Sequence, residues 1–165
     1  MGEMAKKQSK KDDSAPKVKV VCQNRRAFHE YEIMDRLECG VVLVGTEVKS
    51  LRDGHASLDE AYASVENGEL FLIGSEIPEY AMGNRMNHKP KRTRKLLVHR
   101  SEIAKFAGRA AERGFTLVPL QIYFKDGRAK VEIAVAKGKQ LHDKRESKKA
   151  AEAKRDIQRA MRSRR

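Results

Sequence analysis

Two runs of the sequence gather side chains that can hold phosphate. From Gly83 to Lys95 the chain reads Gly-Asn-Arg-Met-Asn-His-Lys-Pro-Lys-Arg-Thr-Arg-Lys, with seven basic residues counting His88 and no acid. A second run opens at Lys137-Gly138-Lys139 and continues through His142-Asp143-Lys144-Arg145. Cations at this density neutralise phosphates and release the counterions condensed on a nucleic acid, so both runs point to backbone binding. His142 has a plain reading as an exposed residue at a helix entry. Its functional reading is stacking on a base while Lys139, Lys144 and Arg145 hold phosphates nearby. Other chemistries find no support. The five histidines are never closer than eleven residues, and Cys22 and Cys39 form no CxxC pair, so neither a metal nor another cofactor is expected. No nucleophile elbow, phosphate loop or paired-carboxylate motif is present, and no enzymatic activity is expected.

Charge is distributed as unevenly as these runs suggest. Of a formal net charge of +13 over 165 residues, residues 138–165 carry +7, with eleven Lys/Arg against four Asp/Glu. A solvated polyanion is the natural partner. An acidic membrane surface fits less well, because no strongly apolar helix face accompanies the charge. Met1 to Lys17 is polar and lacks the apolar core of a secretory leader, and no window approaches the ~18 apolar residues of a membrane span. The expected setting is cytoplasmic, with free thiols.

The elements that would position these residues begin with two hairpins. Leu117 to Phe124 and Arg128 to Ala136 flank Asp126-Gly127, and Ala61 to Glu66 and Glu69 to Gly74 flank Asn67-Gly68. Both dipeptides suit a type I′ turn, which needs positive φ at its two central residues. Ala129, Val131, Ile133 and Val135 alternate with more polar neighbours, so one face of that strand should be buried and the other mostly wet. Tyr31, Ile33 and Leu37 suggest a strand that Gly40 ends, and Val41-Val42-Val44 another. Residues 46–54 predict a short helix capped by Thr46 and closed by Gly54, and residues 101–114 a second, capped by Ser101 and closed by Gly114. Asn24 to His29 reads as a basic turn or short helix, and Glu79 to Lys95 as a long loop. Glu38 and Glu47 read as ordinary surface acids. Tyr123 and Phe124 are neighbours on a strand, so at most one is expected in the core.

The fold class expected is mainly β with short helices: a six-stranded antiparallel OB-like β-barrel flanked by helices, plus a disordered basic C-terminal tail. The division is 1–17 disordered, 18–137 barrel and 138–165 tail. The tail has good helical propensity but only a thin apolar stripe, Ala153, Ile157 and Ala160/Met161, so helix is expected only when it lies along RNA.

Four strings in register carry a family resemblance: Gly45-Thr46-Glu47-Val48-Lys49-Ser50-Leu51-Arg52, Thr93-Arg94-Lys95-Leu96-Leu97, Leu117-Val118-Pro119-Leu120, and Lys137-Gly138-Lys139 with His142-Asp143-Lys144-Arg145. Together they closely resemble the bacterial SsrA-binding proteins, a family also called small protein B. The resemblance implies an OB-like barrel that binds the tRNA-like domain of transfer-messenger RNA (tmRNA) and brings it to stalled ribosomes in trans-translation. It implies that Glu38, Arg94, Lys95, Leu97 and His99 lie on the tmRNA face. It implies further that Lys137, Lys139, His142, Asp143, Lys144 and Arg145 serve the small-subunit decoding centre, the tail entering the empty mRNA channel. The protein would then act as a monomer on RNA, with no membrane partner. The alternative is a ribosome-associated structural or assembly protein without tmRNA specificity.

Overall fold

Both Asx-Gly dipeptides make the turns their chemistry favours: Asn67 and Gly68 have φ of 51° and 74°, and Asp126 and Gly127 have φ of 50° and 79°. The computed structural model describes residues 15–163. Of the stretch 1–17 expected to be disordered, residues 1–14 lie outside them, and residues 15–17 are in neither helix nor strand. In chain order the elements are β1 (Val18–Gln23), α1 (Arg25–Glu30), β2 (Tyr31–Val41), α2 (Gly45–Arg52), β3 (Tyr62–Glu66), β4 (Glu69–Ile73), β5 (Arg94–Leu97), α3 (Arg100–Ala111), β6 (Phe115–Lys125), β7 (Arg128–Gly138) and α4 (Leu141–Ser163).

All strand pairs are antiparallel, and six strands close a ring in the order β6, β3, β4, β5, β2, β7 and back to β6. The OB-like expectation agrees with this arrangement, though the six strands are not those anticipated. Gly40 does not end a strand. β2 runs through it to Val41 because a bare Cα lets β5 approach, and an added Cβ would sit 3.3 Å from Leu97 Cβ. Val42 and Val44 lie outside any strand and are exposed. Arg94–Leu97, expected inside a loop, is a ring strand, and Val18–Gln23 is a seventh strand on the outer part of β6.

The main core fills the ring, with Leu70, Leu72, Leu96, Ile122, Val131 and Ile133 each 2% exposed or less. A second, smaller core lies on the other face of β6 and β7, where Ala27 of α1 covers Val118, Leu120, Ala134 and Ala136. The expected wet face of β7 is therefore dry at this end. A bulge between Pro119 and Gln121 accommodates a proline, which cannot donate to a ladder, inside a long strand. Asn24 ties α1 to that bulge. Its amide nitrogen Nδ2 donates to Pro119 O and Leu58 O, both at 3.1 Å, its backbone N–H donates to Leu120 O at 2.7 Å, and its Oδ1 accepts from Ala27 N.

The helix starts differ from the expected ones for local reasons. Thr46 does not cap α2. Glu47 reaches back to accept the Val44 N–H at 2.9 Å, and the Thr46 hydroxyl pairs with His88 instead. α3 begins at Arg100, where the His99 carbonyl accepts from Glu102 N and Ile103 N, and Phe106 is its buried anchor. The tail is helical in α4, where the sequence reading reserves helix for the RNA-bound state. From Leu141 to Arg162 every residue but Lys144 is exposed. Among the described residues no helix is long and apolar enough to cross a membrane.

Candidate nucleic-acid interface

Neighbouring residues on a strand point to opposite faces, and this sorts the expected site residues. On β5, Arg94 and Leu96 face the core whereas Lys95 and Leu97 face outward; Leu97 is 53% exposed, Leu96 only 2%. Gly40 pairs with Leu97 across β2 and β5, and Glu38 lies two residues earlier on the same face of β2. The structure therefore brings Glu38 and Leu97 onto one outward surface around Gly40. Lys95 is on β5 beside them but is held at 2.5 Å by Glu69. His99 is exposed just past the strand, at the start of α3.

Glu38 is not a loose surface acid. Tyr123 donates its phenolic proton to Glu38 Oε2, and Lys125 Nζ lies 3.1 Å from both carboxylate oxygens. The Tyr123 hydrogen bond, aided by Lys125 against a desolvation penalty, holds the Glu38 carboxyl below its ordinary range. Burial and the bond to Glu38 push the Tyr123 hydroxyl well up, so it remains a donor. Tyr123 and Phe124 are both buried, at 6% and 7% exposure, against the expectation that only one could be. Phe124 joins the ring core, and Tyr123 is covered on the outer face, where sequence alternation alone assigns solvent. Lys130, paired with Gly40, and the exposed Arg128 complete the cationic rim of a groove whose wall includes Val48 and Leu97. Lys125 and Lys130 escape the sequence reading, which singles out Tyr123 only as the neighbour of Phe124 on its strand and gives it no bond to Glu38.

Arg94 requires correction. Its side chain is fully buried, as is that of Glu47, with Arg94 Nη2 2.8 Å from Glu47 Oε1. Arg94 also donates to the carbonyls of Ser75, Arg92 and Pro90 and to the Ser75 hydroxyl. Arg92 donates to both Glu47 oxygens. Nothing is left to offer an RNA. Arg94 holds the inner side of the strand whose outer side carries Lys95 and Leu97. Glu47, expected at the surface, is the hub of this network.

Burial works to raise the Glu47 carboxyl, but Arg92, the Val44 N–H and Arg94 outweigh it and leave the group below its ordinary 4.5. Depression in the folded state means that the unfolded chain takes up protons first as pH falls. The contribution of Glu47 is complete above about pH 4.5 and is lost below it, through the folded-state pKa. Denaturant midpoints measured from pH 7 to pH 3 should drop below that value. Glu47→Gln should start lower and fall less steeply; equal slopes would show that other carboxylates control acid unfolding.

The tail residues form a separate group. Lys137 is exposed on the last turn of β7 pairing, opposite Glu32 of β2. Lys139 is partly tied down: its N–H donates to Glu30 O at 2.8 Å and its ammonium to Phe28 O at 3.3 Å. His142, Asp143, Lys144 and Arg145 follow Leu141 at the start of α4, with Asp143 complementing the helix dipole and His142 largely in solvent, 3.7 Å from Glu146. Burial pushes the Cys22 thiol up to about 11 and Cys39 to about 12, so neither is a ready nucleophile. Among the described residues no His, Cys, Asp and Glu group could hold a metal ion.

An OB-like ring with a cation-rimmed outer groove, and a basic helix leading on from its last strand, defines the class as a small RNA-binding β protein. Comparison with known proteins narrows the class: the family model described as SmpB protein matches residues 21–163. The chain belongs to the SmpB family. It is 55% identical over 162 residues to an SsrA-binding protein of Thermobifida fusca, covering 98% of this chain and 100% of that one. It is 56% identical over 144 residues to an SsrA-binding protein of Desulforudis audaxviator, covering 87% and 94%. A solved chain described as "tmRNA-SmpB: a journey to the center of the bacterial ribosome" superimposes with a TM-score of 0.63 at 45% identity, over 73% of this chain and 85% of that one.

Proposed function

We propose that this protein is an RNA-binding adaptor of trans-translation, which binds the tRNA-like domain of tmRNA and delivers it to stalled ribosomes. The observation that carries this reading is family membership along nearly the whole chain, with a solved tmRNA-SmpB relative at 45% identity. Such an adaptor has no bond to make or break; it works by holding two RNA surfaces in a fixed relation.

The residues divide accordingly into a body and a tail. On the body, the groove beside Gly40 receives RNA. Leu97 supplies an apolar contact for a base or ribose, and Lys95, Lys125 and Lys130 meet phosphate. The Glu38 carboxylate, already accepting from Tyr123 and Lys125, has a remaining lone pair for an amino group or a ribose hydroxyl. His99 stands at the edge of this surface. On the tail, Lys137, Lys139, His142, Asp143, Lys144 and Arg145 serve the decoding centre, and the rest of α4 occupies the empty mRNA channel, acting as a sensor because message and tail compete for the same space. The setting is the cytoplasm, and the protein acts as a monomer on RNA.

Binding to tmRNA and to an unrelated structured RNA of equal length, compared across a salt series, tests this reading. Selective tmRNA binding that survives moderate salt is expected, with steep loss for the other RNA. Equal affinities and slopes for the two would reduce the protein to a nonspecific cation.

A further inference from the structure

The segment between Ile77 and Pro90 spends many hydrogen bonds on keeping one shape. Asn87 clamps it: Oδ1 accepts from Tyr80 N and Nδ2 donates to Tyr80 O at 2.8 Å, while Gly83 N donates to the same carbonyl. Gly83 is required by this closure, since a Cβ there would come 2.5 Å from Asn87 Nδ2. Its base is fixed as firmly. Ile77 N donates to Pro90 O, Ser50 Oγ to Pro78 O, and the buried His88 ring spans Thr46 Oγ1 and Ile77 O, each at 2.8 Å.

Yet this hydrogen-bonded loop places two long apolar side chains in water. Met82 is 87% exposed and Met86 85%. Arg85 lies between them and Lys89 follows, both exposed, and no acid occurs from Tyr80 to Lys91. Lys49 of α2 sits 5.5 Å from the Tyr80 ring centre. Fixed apolar tips set among cations suit stacked or unpaired nucleotides: the thioethers wedge against base faces while the cations meet phosphate.

Position selects the RNA. α2 carries Val48 in the wall of the Leu97 groove, while Thr46, Lys49 and Ser50 of the same helix touch His88, Tyr80 and Pro78. The loop is thus the continuation, around α2, of the surface proposed above for tmRNA.

We infer that the Met82 and Met86 loop is a preformed wedge that packs against base faces of tmRNA beyond the Leu97 groove, with Arg85 and Lys89 on the flanking phosphates. This rests on the function proposed above. Full-length Met82→Ser/Met86→Ser keeps the Asn87 clamp and all loop anchors; its unfolding midpoint should match that of the unaltered chain. Its tmRNA affinity should fall about ten- to a hundredfold with the salt slope unchanged, as expected for lost stacking. Arg85→Gln/Lys89→Gln should instead lower the slope by about one to two units. Unchanged affinity in the folded methionine variant overturns the inference, as does normal tmRNA binding with a defect only in ribosome or protein-factor association. Failure of the parent chain to distinguish tmRNA from unrelated RNA would instead overturn the proposed function.

Discussion

Replacing Arg94 with Ala is expected to lower the unfolding free energy by about 3–5 kcal/mol, the range for stranding one partner of a buried ion pair. The guanidinium and the Glu47 carboxylate are both fully out of solvent, and no buried side-chain polar atom among the described residues lacks a partner. Removing Arg94 leaves the Glu47 carboxylate with Arg92 and the Val44 N–H, and takes a donor from the carbonyls of Ser75, Arg92 and Pro90, of which Pro90 keeps the Ile77 N–H. The combined Glu47→Ala/Arg94→Ala variant should lose less than the sum of the single losses, because the second deletion no longer strands a charge. Denaturant unfolding of the four species measures this coupling. A single-variant loss under about 1 kcal/mol would mean that the site relaxes to admit water.

The second large effect concerns the tail. Cutting after Ala136 would remove Lys137 and Gly138, which pair with Glu32 and Tyr31, and the Lys139 bond to Glu30. Ending the chain after Gln140 leaves these contacts and removes only α4. Affinity of that shortened protein for tmRNA should change by less than about threefold, as for well-separated sites, while rescue of stalled ribosomes falls to background. Parallel loss of both would sink the division of labour between body and tail. Preserved rescue would remove the tail from the mechanism.

Both hairpins were legible in the sequence because Asn-Gly and Asp-Gly act locally through the backbone conformations they allow. β5 was hidden for a different reason. A buried arginine reads as a solvated one until Glu47, distant in sequence, is known to lie beside it, so a strand interior looked like a basic loop. Gly40 reads as a breaker in the sequence, whereas its meaning depends on Leu97 arriving from another strand. The apolar outer face of β7 became intelligible only with α1 on top of it. Among the candidate site residues, Leu97, Lys95 and Glu38 fall on the outward surface. Arg94, adjacent to Lys95, could not share it once the segment was extended. What composition did reveal was the partition of charge, because a run of lysines and arginines announces itself without any tertiary partner.

The pairing of β1 with β6 also separates the start of the described chain from the root of α4. Val18 lies opposite Lys125 and Lys17 meets Asp126, at the hairpin tip, while β7 releases α4 at the opposite end, where Lys137 pairs with Phe115. Eleven residues of β6 lie between, about 30 Å of extended strand. A fluorophore at Lys17 would thus stand a rigid strand-length from the root of the tail, a spacing suited to energy transfer. Paired with a second dye on α4, it would turn the barrel into a fixed ruler against which rotation of the arm can be timed.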